Sequence, residues 1–231
     1  QEANAFHRIE YEIIRGDTIR YDQISSIALD KEGRIWFSDE NYGIFIYNDK
    51  MKLVKYFIPN LNDDDALPAS NYFGVVFDET GTAWLGIGNG MLGKIVPNSN
   101  KVELKIFETR VASADDGVKS MYVDRNGKIW IGTTSQGAYR YDPNLDDFIN
   151  YRKEDSIFHI TGNTVMTFAE DQEGNIMIGI DGGGINILDH ITGELALVQY
   201  DLGNPATLNT NAVYELYVDN SENLWVGTYS G

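Results

Sequence analysis

The sequence repeats itself five times. An Asp, two variable residues, a turn position, two further residues and a large side chain recur as Asp30–Trp36, Asp78–Trp84, Asp124–Trp130, Asp171–Met177 and Asp219–Trp225. The leading Asp residues stand 48, 46, 47 and 48 positions apart. A period this regular marks a repeat architecture in which each unit buries its apolar face against the next, so single units are not independent domains.

Each unit divides into short strands. Apolar runs at 24–29, 72–77, 118–123, 165–169 and 213–218 precede the Asp. The Asp-x-x-Gly segment supplies a tight turn, Gly allowing positive φ and Asp accepting hydrogen bonds from turn amides. A second strand carries Trp36, Trp84, Trp130, Met177 or Trp225, followed two residues later by Ser38, Gly86, Gly132, Gly179 or Gly227, small enough for close backbone approach. Third strands are expected at 44–47, 94–96, 138–141 and 185–188, and fourth strands at 53–57, 103–107, 148–152 and 197–200. Val, Ile, Tyr, Phe and Trp dominate these runs, and turns interrupt them too often for helices.

Four antiparallel strands in about 47 residues describe a propeller blade. The expected fold is therefore all-β: a β-propeller segment spanning residues 1–231, with repeat units at 12–57, 70–107, 117–152, 163–200 and 211–231. The last unit lacks its outer strands, and residues 6–11 read as a strand from a preceding or closing blade. A seven-bladed ring needs about 330 residues, so the expectation is a fragment of such a ring.

Composition limits the partners. Eighteen Lys and Arg against 35 Asp and Glu give a net charge of −17, which argues against nucleic acid and against an anionic membrane surface. There is no Cys, which removes disulfides, thiolate catalysis and thiolate-ligated metals. No apolar run is long enough for a membrane span, so attachment is expected only through a longer parent.

At the repeated residues, notably Asp124-Arg125-Asn126-Gly127-Lys128-Ile129-Trp130-Ile131-Gly132-Thr133 and Asn223-Leu224-Trp225-Val226-Gly227-Thr228, the chain resembles the regulator-propeller repeats of periplasmic sensor regions in bacterial hybrid two-component systems. The resemblance runs through all five copies. It implies a non-enzymatic, periplasmic ligand-sensing segment whose parent carries two seven-bladed propellers, a β-sandwich domain, a membrane span and cytoplasmic histidine kinase and response-regulator modules. Many such proteins sense oligosaccharides and control genes for polysaccharide use. The partners implied are an oligosaccharide ligand, the remaining propeller repeats, the downstream sensor domains and a second parent chain in a homodimer. The departures from the pattern are Met177 for Trp, Glu222 for the turn Gly, a two-residue expansion at 88–93 and the absent final strands.

Blade topology places the Asp-x-x-Gly turns at one end and the loops after the second strand at the other. The second end carries varied polar and aromatic residues on a repeated scaffold, the usual place for recognition. Sugar binding uses aromatic faces against rings, and amides or carboxylates against hydroxyls. Tyr42, Asn89, Gln136, Asp181 and Tyr229 are the ligand-binding candidates. No catalytic residue, cofactor or metal site is expected. Asp30, Asp78, Asp124, Asp171 and Asp219 read as turn makers, with Gly33, Gly81, Gly127 and Gly174 as turn glycines. Trp36, Trp84, Trp130, Met177 and Trp225 read as packing residues, and Gly182–Gly184 as a turn without the context of a phosphate loop. Asp63–Asp65 and Asp115–Asp116 lack an EF-hand pattern and read as solvated loops. His7, His159 and His190 occupy non-equivalent repeat positions, which disfavours a shared metal. The competing classes are a streptogramin-lyase-like or other propeller enzyme and a protein-interaction propeller, because fold does not fix function.

Overall fold

The computed structural model describes residues 9, 11–60, 63, 66–68, 71–107, 117–155, 157 and 159–230. A hairpin opens it, β1 (Tyr11–Ile14) with β2 (Asp17–Arg20). Four four-stranded antiparallel sheets follow in chain order. The first contains β3 (Ile24–Leu29), β4 (Ile35–Asp39), β5 (Gly43–Tyr47) and β6 (Leu53–Phe57). The second contains β7 (Tyr72–Phe77), β8 (Ala83–Ile87), β9 (Met91–Ile95) and β10 (Glu103–Ile106). The third contains β11 (Val118–Val123), β12 (Ile129–Thr133), β13 (Ala138–Asp142) and β14 (Asp147–Tyr151). The fourth contains β15 (Val165–Glu170), β16 (Ile176–Ile180), β17 (Gly184–Leu188) and β18 (Leu195–Val198). A two-stranded sheet, β19 (Val213–Val218) with β20 (Leu224–Thr228), completes the described residues.

Several boundaries differ from expectation for local reasons. β9 starts at Met91 because Ile87 pairs with Met91 across a three-residue loop, Gly88–Gly90, in which Asn89 and Gly90 both adopt positive φ, 61° and 69°. β18 starts at Leu195, directly after a turn held by Asp189, whose Oδ1 accepts the Ile191 and Thr192 amides. Of the strand read at 6–11, only Ile9 and Tyr11 lie among the described residues. Residues 12–20, counted with the first repeat unit, pair as a hairpin with each other rather than with β3.

The sheets pack face to face along the chain. β3 lies against β7, β7 against β11, β11 against β15 and β15 against β19, so the first strands share an inner edge. Each interface is apolar. Trp36 and Ile46 meet Tyr72 and Leu85; Trp84 and Leu92 meet Val118 and Ile131; Trp130 and Tyr151 meet Phe168 and Ile178; Met177 and Ile185 meet Val213 and Leu216. β1 and β2 cover the opposite face of the first sheet through Ile14, Ile19, Phe37 and Phe45. Close approach depends on the small residue after each Trp: a Cβ on Gly132 would lie 2.3 Å from Ser120 Oγ and 2.8 Å from the Val165 carbonyl oxygen of the next sheet.

The described stack is open at both ends. Trp84 and Trp130 are each 1% exposed, whereas Trp225 is 61% exposed. At the other end Ile27 and Leu29 of β3 face outward. Among the described residues no helix is long and apolar enough to cross a membrane.

Candidate functional site

The Asp-x-x-Gly end is held by its own side chains. One carboxylate oxygen of Asp124 accepts the amides of Asn126 and Lys128, both at 2.9 Å, and the other accepts the indole N–H of Trp130 at 2.9 Å. The same latch joins Asp30 to Trp36 (2.7 Å), Asp78 to Trp84 (2.9 Å) and Asp219 to Trp225 (2.8 Å). Where Met177 replaces Trp, the Asn175 side-chain amide donates to Asp171 Oδ2 instead, at 2.8 Å. Burial pushes the Asp30 and Asp78 carboxyls up, but bonds from the indoles and turn groups outweigh it and leave both below their ordinary value. The Asp219 carboxyl is lowered to about 2, chiefly by the Trp225 bond. These carboxylates are committed to the turn. Successive turns are also tied together: Lys31 Nζ donates to the Glu79 carbonyl, and Arg125 pairs with Glu170 at 2.6 Å and donates to the Gln172 carbonyl at 2.5 Å.

The opposite end carries the five candidates, one per sheet. Tyr42 lies in the β4–β5 turn, whose shape comes from buried Asp39, its Oδ1 accepting the Asn41 and Tyr42 amides at 3.0 and 3.2 Å. Asn89 lies in the β8–β9 turn at positive φ. Gln136 lies in the β12–β13 loop, its amide donating to Thr133 Oγ1 at 2.9 Å. Asp181 is exposed in the β16–β17 turn, where its amide donates to the Thr164 carbonyl. Tyr229 follows β20 and is 75% exposed, its ring edge-on to Tyr214 at 6.0 Å between centroids. The five come from five different sheets, and none of them lines the four cavities described below.

A feature unseen in the single-strand patterns lies on the inner edge at this same end. Every first strand slips register at the same place, between Ile24 and Ser26, Tyr72 and Gly74, Val118 and Ser120, Val165 and Thr167, and Val213 and Glu215. Each slip inserts one unpaired residue: Ser25, Phe73, Lys119, Met166 and Tyr214. Such bulges bend a strand and re-aim the extra side chain. Ser25, Phe73 and Lys119 line both a 220 Å³ cavity and an adjoining 390 Å³ cavity, and the larger takes residues from all five first strands, Met166 among them. Two further cavities, 340 and 430 Å³, lie between sheets at the latch end, around Asp30 and Asp124. A column-by-column comparison of the five repeats draws attention to the bulge position, because Ser, Phe, Lys, Met and Tyr make it the most varied in the strand.

Among the described residues no three or more His, Asp or Glu side chains gather as metal ligands do. His159 and His190 are both exposed, the first beside Arg152 and the second beside Asn175. His7, Asp64, Asp65, Asp115 and Asp116 lie outside the described residues.

Comparison with known proteins follows the repeat. The family described as two component regulator propeller matches residues 18–41, 113–135 and 207–230. Histidine kinase P4 of Formosa agariphila is 24% identical over 174 residues, 74% of this chain. The extracellular domain of the hybrid two component system BT4673 from B. thetaiotaomicron superposes with a TM-score of 0.73 over 95% of this chain, at 21% identity. Virginiamycin B lyase from Staphylococcus aureus superposes with a TM-score of 0.68 over 90%, at 13% identity, a likeness of fold alone. The chain spans 12% of the kinase's length and 27% of the B. thetaiotaomicron chain.

Proposed function

We propose that the chain, whose residues 18–41, 113–135 and 207–230 match two component regulator propeller repeats, is the extracytoplasmic, periplasmic ligand-sensing part of a hybrid two-component sensor. The carrying observation is the regulator-propeller repeat itself, matched at three of its five occurrences. In this proposal the segment is one domain, the stack continues into a seven-bladed ring, the segment performs no catalysis, and a histidine kinase elsewhere in a longer, dimeric parent receives the signal.

The proposed ligand is an oligosaccharide held at the end that carries Tyr42, Asn89, Gln136, Asp181 and Tyr229. An exposed carboxylate, an amide-bearing loop and aromatic faces offer what a polyhydroxylated ring requires. Signalling then needs the ligand to favour one arrangement of propellers or protomers over another, since a ligand of equal affinity for both shifts nothing.

Titration calorimetry with a panel of oligosaccharides, on this chain and on the whole extracytoplasmic region containing it, tests the proposal. Saturable heat with at least one member and no change to the sugar is expected. Absence of heat and of thermal stabilisation across the panel in the whole region overturns oligosaccharide sensing. Release of product would favour a lyase-like propeller instead.

A further inference from the structure

The bulge position is chemically free where its neighbours are not. Before it stand Ile24, Tyr72, Val118, Val165 and Val213, all large and apolar; two places after it stand Ile27, Val75, Met121, Phe168 and Leu216, again apolar. The bulge residues between them are Ser25, Phe73, Lys119, Met166 and Tyr214. One backbone environment thus accepts a hydroxyl, two aromatic rings, an ammonium and a thioether. The place directly after the bulge is narrower, with Ser26, Gly74, Ser120 and Thr167 beside Glu215, and the apolar places on either side are narrower still. Four of the five, all but Tyr214, line one cavity, and diversity at a position that faces a shared cavity points to a task there.

From this we infer that the bulge ring is the specificity surface of the proposed sensing site, and that it takes an uncharged oligosaccharide. The inference rests on the sensing proposal above and names its ligand class. The larger cavity, 390 Å³, lies within the size range of small-molecule sites, about 300–1,000 Å³, and the smaller adjoins it. Their charged lining is one cation, Lys119, shared by both, with Glu40 in the smaller cavity and Glu215 in the larger. An ammonium only donates and a carboxylate only accepts, whereas a sugar hydroxyl does both, so an uncharged sugar satisfies all three. Phe73 supplies an apolar face for a ring. A uronate or sulfate would gain Lys119 but meet two carboxylates, and approach a chain of net charge −17.

The repeat supplies test variants already accommodated by the fold. Lys119→Met installs what the fourth sheet carries at this position, and Phe73→Ser what the first carries. An immobilised array of neutral hexose and pentose oligosaccharides beside uronate- and sulfate-bearing ones is probed with the whole extracytoplasmic region and these variants. Binding confined to neutral members, weakened at least tenfold by each variant with the β-sheet circular-dichroism spectrum retained, is expected. Preference for acidic members overturns the ligand class. Binding that survives both variants but falls with Tyr42→Ala or Asp181→Ala overturns the ring and spares sensing, whereas no binding to any member overturns the sensing proposal itself.

Discussion

Trp130 donates its indole N–H to Asp124 across six residues, and both side chains are almost wholly buried. The bond joins the turn to the apolar interface between the third and fourth sheets, where Trp130 packs on Phe168. Trp130→Phe keeps an aromatic ring but leaves one oxygen of a buried carboxylate without its donor, so a loss of about 2–3 kcal/mol is expected. Met177→Leu at the equivalent place should cost under about 1.5 kcal/mol, because Asn175 already serves Asp171. Urea unfolding followed by circular dichroism compares the pair; equal losses would show that the latch contributes nothing beyond packing.

Glu222 occupies the turn place held elsewhere by Gly33, Gly81, Gly127 and Gly174, and adopts the same left-handed backbone, φ 68° against 71–89°. Added side chains have room at Gly33 and Gly127, so conformation rather than space selects glycine there. Glu222→Gly should stabilise the β19–β20 hairpin by about 0.5–1 kcal/mol, and Gly127→Ala should destabilise its turn by about 1–2 kcal/mol. Hydrogen exchange of the strand amides reads both locally, and a less protected hairpin in the Gly variant would contradict the strain argument.

Thr167 Oγ1 accepts the Leu216 amide of the next sheet at 3.2 Å, and Ser26 Oγ accepts the Val75 amide at 3.3 Å. Ser120 stands at the same repeat place with its buried hydroxyl unpartnered. Thr167→Val should therefore cost about 1–2 kcal/mol, while Ser120→Ala is neutral or slightly stabilising. Thermal unfolding separates the two, and a marked loss in Ser120→Ala would reveal a partner for that hydroxyl.

Acid should weaken the turns. Asp30, Asp78 and Asp219 have folded values below their unfolded ones. Their contribution is complete above the unfolded value of about 3.9 and is lost as pH falls through the folded values, about 2 for Asp219. Unfolding temperature should drop between about pH 4 and pH 2, less steeply in Asp219→Asn; an identical slope in that variant would exclude Asp219 as a contributor.

Much of the strand order was legible because turn chemistry and apolar runs alternate on a fixed period. The first strands at 24–29, 72–77, 118–123 and 213–218 coincide with β3, β7, β11 and β19. Hairpin register was less legible: the left-handed pair Asn89–Gly90 moves β9 forward, although Asn-Gly is itself a hairpin signal. The Asp–Trp latch is not legible in the sequence, since turn maker and packing residue each have a local explanation, while their bond depends on the hairpin that brings residue 130 back beside residue 124. Bulges are properties of two strands in register, so no single strand's alternation displays them. Tyr42, Asn89, Gln136, Asp181 and Tyr229 could be placed at one end from topology, but how far apart they sit follows from sheet packing.

The open last sheet makes the molecule its own optical gauge. Three of its four indoles are sealed between sheets, and Trp225 stands in water. Emission from the chain should therefore divide into a shielded blue component and a red one that iodide quenches. Anything that covers β19 and β20 would extinguish the quenchable fraction, so docking onto that sheet can be followed by light alone, without a label.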